Sequence, residues 1–144
     1  MNTVKQVLKV KGDAVFSISP ESPVYEALTV MAEYEIGALV VVKDERPVGI
    51  FSERDYARKV MLKGKSSKSI TVGELMVRDI YYVSPEDSLD ECMVIMTEKR
   101  IRHIPVLEDN RLVGLISIGD VVKQIISEQE FRIRELEKYI QGSY

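Results

Sequence analysis

Two short stretches of the chain hold the residue types from which a site could be built, at the same spacing. "GIFSERDYARKV", residues 49–60, places Ser52 and Asp55 three apart, after an apolar run and ahead of the basic Arg58 and Lys59. "GLISIGDVVKQI", residues 114–125, repeats the arrangement with Ser117 and Asp120. A hydroxyl followed three residues later by a carboxylate is the pattern of a helix cap, each side chain accepting a backbone N–H that the helix start leaves free. One copy is explained by capping alone. Two copies in register also fit a binding site whose hydrogen-bonding groups stand where a helix begins.

Other chemistries are poorly supplied. Cys92 is the only cysteine and His103 the only histidine, so an internal disulfide, a cysteine zinc cluster and the usual triads are not expected. There is no P-loop, and neither serine has a histidine base near it in sequence, so an enzyme is not expected. Cys92 and Met96 fall at helical core positions, as does Met31 in the earlier half. The net charge of −3 argues against a general polyanion binder and leaves room only for local phosphate binding. With 144 residues, 45% hydrophobic and 30% charged, the chain is large enough to bury a core. It has no apolar run of membrane length, and "MNTVKQVLKVKGD" lacks the pattern of a secretory signal. A cytoplasmic protein is the expectation, with no membrane partner.

The elements that position these residues come from an internal repeat. Shifting the sequence by about 65 residues, without gaps, aligns "SPESPVYEALTVMAEYEIGALVVVKDERPVGIFSERD" with "SPEDSLDECMVIMTEKRIRHIPVLEDNRLVGLISIGD". From Val15 to Val60 about 14 of 46 positions are identical, against roughly 3 by chance. Residues 1–64 form a first repeat with an N-terminal helix; residues 65–144 hold a linker, a second repeat and an extended C-terminal helix. Each unit is too small to bury its own apolar faces, so the two should pack about a pseudo-twofold axis. In each, a short strand ("AVFSI", "IYYVS") leads to a helix capped near Ser22–Pro23 or Asp87–Ser88. The strands "ALVVV" and "HIPVL" then turn through "KDER" and "EDNR" into "VGIF" and "VGLI". Thr71 to Glu74 starts a further short turn as a capping box. The fold class is α/β (α+β), a β-α-β-β-α unit in tandem.

This order, the "SPE" after the first strand, and "VGIFSERD" with "VGLISIGD" closing the hairpins resemble the paired cystathionine β-synthase (CBS) domains, or Bateman module. The likeness runs from Val15 to Ile126, and "GIFSERDYARKV" and "RIRHIPV" are similar to small bacterial CBS-only proteins. The resemblance implies a regulatory module that binds adenosine-containing ligands, such as AMP, ADP, ATP, NAD(H) or S-adenosylmethionine, in clefts between the repeats, with no catalytic cofactor and no metal. A helix start at Ser52 or Ser117 offers N–H groups and a hydroxyl to phosphate. Asp55 and Asp120 would accept ribose hydroxyls, and Arg54 and Arg58 would pair with phosphate. The adenine would lie among apolar residues: Ile36 and Ala38 in one unit, Ile101, Ile104 and Pro105 in the other, closed by Val15, Ile18, Ile80 and Val83.

The repeats differ where polarity matters. Arg102 and His103 stand at the places of Gly37 and Ala38, whereas Glu53 and Arg54 correspond to Ile118 and Gly119. The two sites should therefore have unequal phosphate equipment, with Arg102 and His103 compensating at the second. The resemblance also implies a homodimer. "VVKQIISEQEFRIRELEKYI" carries Val122, Ile125, Ile133, Leu136 and Ile140 near heptad spacing, which fits an interface stripe or packing onto the chain's own domain. A regulated protein partner is expected; nucleic-acid binding and a purely structural dimerisation role are the alternatives.

Overall fold

The computed structural model describes residues 2–12 and 15–142. Its elements are α1 (Val4–Lys11), β1 (Ser17–Ile18), α2 (Val24–Tyr34), β2 (Ala38–Lys43), β3 (Arg46–Ser52) and α3 (Glu53–Tyr56), which passes into a π-helical turn at Ala57–Met61. There follow α4 (Val72–Leu75), α5 (Leu89–Lys99), β4 (His103–Glu108), β5 (Arg111–Ser117) and α6 (Ile118–Ile140). The mixed α+β class and the tandem hairpins agree with the sequence. Each hairpin turns on two left-handed residues, Asp44–Glu45 and Asp109–Asn110, as a two-residue turn matched to strand twist requires. Each also carries an irregularity, at Val41/Val42 and Val106/Leu107.

The opening strands are shorter than the apolar runs suggest. Ala14 lies outside the described residues, and β1 pairs in parallel with β2 only through Ser17–Val40 and Ile18–Val41. In the second repeat the counterpart is a single bridge, Val83 to Val106. The cause is Pro105, which stands where the first repeat has Val40 and has no N–H to donate to an additional rung. Val83 keeps only the bonds to the Pro105 carbonyl (3.1 Å) and from Leu107 N–H (2.9 Å).

Packing crosses between the repeats. Val4 and Val7 of α1 join the core made by α5, β4, β5 and the start of α6, with Val83, Cys92, Ile104 and Ile116. Val72, Leu75 and Met76, in and just after α4, join the core of α2, β2 and β3. Each opening helix thus covers the other repeat's sheet. The glycines of "VGIF" and "VGLI" permit the approach: a Cβ on Gly49 would stand 2.6 Å from Met76 Sδ and 2.9 Å from the Val77 carbonyl, and one on Gly114 would stand 2.5 Å from Leu8 Cδ2. Cys92 is a small buried side chain, its thiol pushed up to about 11 chiefly by burial.

Helix α6 departs from its counterpart after one turn beyond the core. Ile125 packs onto the second core, but Phe131, Ile133, Leu136 and Ile140 are exposed. From Phe131 onward, packing onto the chain's own domain is not what holds the stripe.

Candidate functional site

Both Ser-x-x-Asp sequences form capping boxes. Asp55 Oδ2 accepts from Ser52 N–H (3.0 Å) and Ser52 Oγ–H (2.9 Å), and Asp55 N–H donates to Ser52 Oγ at 3.3 Å. Asp120 Oδ2 accepts from Ser117 N–H (2.9 Å), and Asp120 N–H donates to Ser117 Oγ (3.1 Å). Each box is pinned to the first residue pair of its hairpin, Ala38–Ser52 or His103–Ser117. Glu53 N–H donates to the Gly37 carbonyl (3.0 Å) and Ile118 N–H to that of Arg102 (2.9 Å). Capping and site are therefore not exclusive, because both boxes face cavities.

The larger cavity, about 510 Å³, combines the two repeats. The first supplies Gly37, Ile50, Ser52, Glu53, Arg54, Asp55, Arg58 and Lys59; the second supplies Val77, Asp79, Ile80, Tyr81, Arg100, Ile101, Arg102 and His103. The smaller, about 290 Å³, takes Ser117, Asp120, Gly114, Leu115 and His103 from the second repeat. Leu8, Lys11, Gly12, Val15, Phe16 and residues 35–38 come from the first. The larger volume falls within the range of small-molecule sites and the smaller lies at its lower edge. Ten lining positions of one cleft correspond, 65 residues apart, to ten of the other.

Of the residues singled out from sequence, Ser52, Arg54, Asp55, Arg58, Ile80, Ile101, Arg102 and His103 meet in the first cleft. Val15, Ile36, Ala38, Ser117 and Asp120 meet in the second, again with His103. Four expected wall residues are elsewhere. Ile18 (8% exposed), Val83 (4%) and Ile104 (0%) belong to the two cores, since strand alternation turns them away from the cleft. Pro105 is buried beneath the Val83 segment, whose N–H its carbonyl receives. Arg102 lines the first cleft only, so it does not compensate for Gly119 at the second. The helix after Ser52 runs for one α turn, Glu53–Tyr56, and continues as the π-helical turn Ala57–Met61. Cationic side chains are the commonest charged groups lining the first cleft.

Several lining residues had no signal of their own in the sequence. Arg100 is the left-handed C-cap of α5 (φ 54°), and Glu35 the same cap of α2 (φ 53°). Tyr81 carries Lys99 Nζ 5.4 Å from its ring centre, whereas its counterpart Phe16 stacks on Tyr34 at 4.2 Å. Lys59 lies 3.4 Å from Asp55 Oδ1 and donates to the Leu75 carbonyl at 3.1 Å. Lys11 donates to Asp120 Oδ2 (2.8 Å) and to the Leu115 carbonyl (2.6 Å). The repeat offset would have located Arg100, Tyr81 and Glu35 once their counterparts were known to line a cleft; Lys11 lies before the aligned segment.

Two ionisable groups are perturbed here. Burial pushes the His103 imidazole below its ordinary value, the charges of Lys11 and Arg102 adding to this and Asp120 opposing it. Burial works to raise the Asp120 carboxyl, but the hydrogen bonds from Lys11 and Ser117 N–H, with the Lys11 charge, outweigh it and hold the group below its usual range. Five cationic side chains line the first cleft against three acidic ones, whereas the second has Lys11 against Glu35 and Asp120.

Comparison with known proteins agrees with this geometry. The family model for the CBS domain matches twice, over residues 4–62 and 72–127. The chain is 40% identical over 151 residues to the mitochondrial CBS domain-containing protein CBSX3 of Arabidopsis thaliana, covering 99% of this chain and 73% of that protein. A CBS-domain protein of Burkholderia ambifaria MC40-6, described as a candidate for signal transduction, superposes with a TM-score of 0.84 at 49% identity, over 89% of this chain and 96% of that one. A CBS-domain containing protein from Agrobacterium tumefaciens gives 0.80 at 39% identity, over 85% and 98%. Among the described residues no helix is long and apolar enough to cross a membrane. The matches point to a module of the regulatory, signal-transduction kind, and the chain belongs to the CBS-domain family as a small tandem CBS pair.

Proposed function

We propose that this CBS pair is a nucleotide-sensing regulatory module whose first cleft takes an adenine nucleotide (AMP, ADP, ATP or NAD(H)) without chemistry. The observation that carries this is the composite first cleft. A capping carboxylate, Asp55, faces a rim of arginines contributed by both repeats. In this reading Asp55 accepts ribose hydroxyls through Oδ1, which the cap leaves to the cleft and which Lys59, itself donating to the Leu75 carbonyl, approaches at 3.4 Å. Ile80, Ile101 and the half-buried Tyr81 flank the base, and Arg54, Arg58, Arg100 and Arg102 hold the phosphates through forked hydrogen bonds. Because the walls belong to different repeats, a ligand that bridges them favours one relative placement of the repeats, which is what a signal requires.

The test is calorimetry with AMP, ADP, ATP and NADH, together with mass spectrometry of whatever is released when the purified protein is denatured. A bound or titrating adenine nucleotide is the expected result. Absence of binding by all four ligand types at millimolar concentration would overturn the reading, as would their turnover.

The receiving surface in this proposal includes the exposed end of α6, paired with a second copy of the chain. Its Glu128–Arg132 and Glu135–Lys138 pairs are satisfied within the helix, leaving Ile133, Leu136 and Ile140 as unpartnered apolar positions near heptad spacing. Removing residues 128–144 should weaken the homodimer. A full-length monomer at micromolar concentration in light scattering would refute it.

A further inference from the structure

Each capping carboxylate has a lysine of its own chain beside it. Lys59 stands 3.4 Å from Asp55 Oδ1, whereas Lys11 is hydrogen-bonded to Asp120 at 2.8 Å, so the second cleft is the more firmly occupied. Lys11, the last residue of α1, sends its ammonium to Asp120 Oδ2 and to the Leu115 carbonyl. Both acceptors have counterparts in the first cleft. Asp120 corresponds to Asp55. Leu115 corresponds to Ile50, whose carbonyl accepts from Val77 N–H at 2.9 Å. The position of Val77 corresponds to Gly12, whose N–H is turned back to the Leu8 carbonyl to close α1. The Lys11 ammonium therefore takes the acceptor that a backbone donor fills in the related cleft.

The lysine is placed by the fold. Val4 and Val7 anchor α1 in the second core, and Leu8 lies over Gly114, so the Lys11 backbone is fixed beside the cleft. The C-terminal end of α1 favours an ammonium there. At the repeat position of Lys11 stands Met76, buried over Gly49. An exposed ion pair alone would be a weak barrier, but Lys11 is held at two acceptors and its partner carboxylate is three-quarters buried.

We propose that Lys11 fills the carboxylate subsite of the second cleft, so that residue 11 decides whether this cleft accepts adenosine, and that the native chain takes one nucleotide rather than two. This rests on the reading of Asp55 and Asp120 as ribose acceptors. It differs in sign from a role for Lys11 as a phosphate-binding cation. In that case removing the ammonium would weaken second-cleft binding, whereas here it creates it. Glu35, at the place where the first cleft has Arg100, disfavours a phosphate at the rim, so the opened cleft should prefer adenosine to AMP.

The experiment is titration calorimetry of the native chain, Lys11→Met and Lys11→Gln with adenosine and with AMP, with thermal melts to establish folding. Either folded variant should gain one adenosine per chain, binding at that cleft roughly 10- to 100-fold more tightly than in the native chain, because the ammonium that neutralises the Asp120 carboxylate and stands between it and the Leu115 carbonyl is gone. The gain for AMP should be smaller. The glutamine variant keeps the aliphatic stem and serves if methionine destabilises α1. Unchanged stoichiometry in the folded variants, loss of a site, or two equivalent sites in the native chain would overturn the proposal. If the native chain binds neither ligand, the reading of the first cleft fails; a site gained only in the variants would still support the role of Lys11, and no gain would end it.

Discussion

The two clefts share one scaffold and differ almost entirely in charge. Each sets a capping box against the other repeat's opening segment and helix C-cap, and the positions correspond at the same offset. What the repeats keep is what folding needs: the Ser-x-x-Asp box, the glycine under the crossing helix and the left-handed cap. What they vary is what a ligand would meet. Arg100 faces Glu35 in the alignment, Arg102 faces Gly37, Tyr81 faces Phe16 and Arg54 faces Gly119. A duplicated unit can thus change the affinity of one site without disturbing the other's walls.

The strongest way to break this comparison is to give the first cleft the second's residues. Arg100→Glu with Arg102→Gly removes two forked cations and adds one like charge beside the phosphate. Taking the lower end of about 1.5 kcal/mol per charge-assisted bond, because both arginines are exposed, AMP should weaken by about 100-fold or more. Adenosine should change by only a few-fold. Equal losses for both ligands in calorimetry would place the phosphate elsewhere.

The carboxylates give the next largest difference. Asp55→Ala should weaken adenosine by about 1.5–3 kcal/mol, or one to two orders of magnitude. Asp120→Ala should leave first-cleft affinity intact and instead cost about 1 kcal/mol of stability, since Ser117 still caps α6 but loses the Asp120 acceptor for its own N–H, and Lys11 loses its partner. Denaturant melts beside the titrations separate the two outcomes. Loss of neither binding nor stability with Asp55→Ala would reduce that residue to a solvated acid.

Much of this was legible before the structure. The repeat, both hairpins, both capping boxes and the helices after Pro23 and Ser88 follow from local rules: turn residues, caps and apolar period. The site was legible as far as those rules reach. Ser52, Asp55, Ser117 and Asp120 were visible because they recur, and Arg102 and His103 because they break the recurrence. Ile18, Val83 and Ile104 were misplaced because apolar strand residues look alike whether they face a core or a ligand. Lys11 and Arg100 carried no signal, since their roles depend on which helix crosses which sheet. That crossing is set by long-range packing of Leu8 over Gly114 and Met76 over Gly49.

Those two glycines sharpen the comparison at the level of stability. A Cβ on Gly49 meets the Val77 backbone carbonyl as well as Met76, and the carbonyl is held by its place beside β3. A Cβ on Gly114 meets only the end of the Leu8 side chain, which can turn aside. Gly49→Ala should therefore cost about 2 kcal/mol, in the range of overpacked cores, and Gly114→Ala less than about 1 kcal/mol. Equal midpoint shifts in urea would mean that the two crossings are equally rigid.

The smallest effect belongs to His103, the side chain that lines both clefts. Its imidazole titrates lower in the folded chain than in the unfolded one, through burial first and the charges of Lys11 and Arg102 next, against Asp120. As pH falls through the ordinary value of 6.5, the unfolded chain takes up a proton that the folded chain still refuses. The stability associated with the neutral ring is thus complete above that value and declines as pH falls toward the folded-state value. Asp120, also lowered, acts in the same direction, but only below the ordinary carboxylate range, so the windows are separate. His103→Gln should flatten the decline between pH 7.5 and 5.5 in denaturant melts and leave the lower-pH limb intact. A phosphate in the first cleft would favour the protonated ring, so AMP binding by the native chain should take up part of a proton and tighten from pH 8 to 6.5. The Gln variant should lose that trend. An identical pH profile in both proteins would place His103 away from the phosphate and restrict it to packing between the clefts.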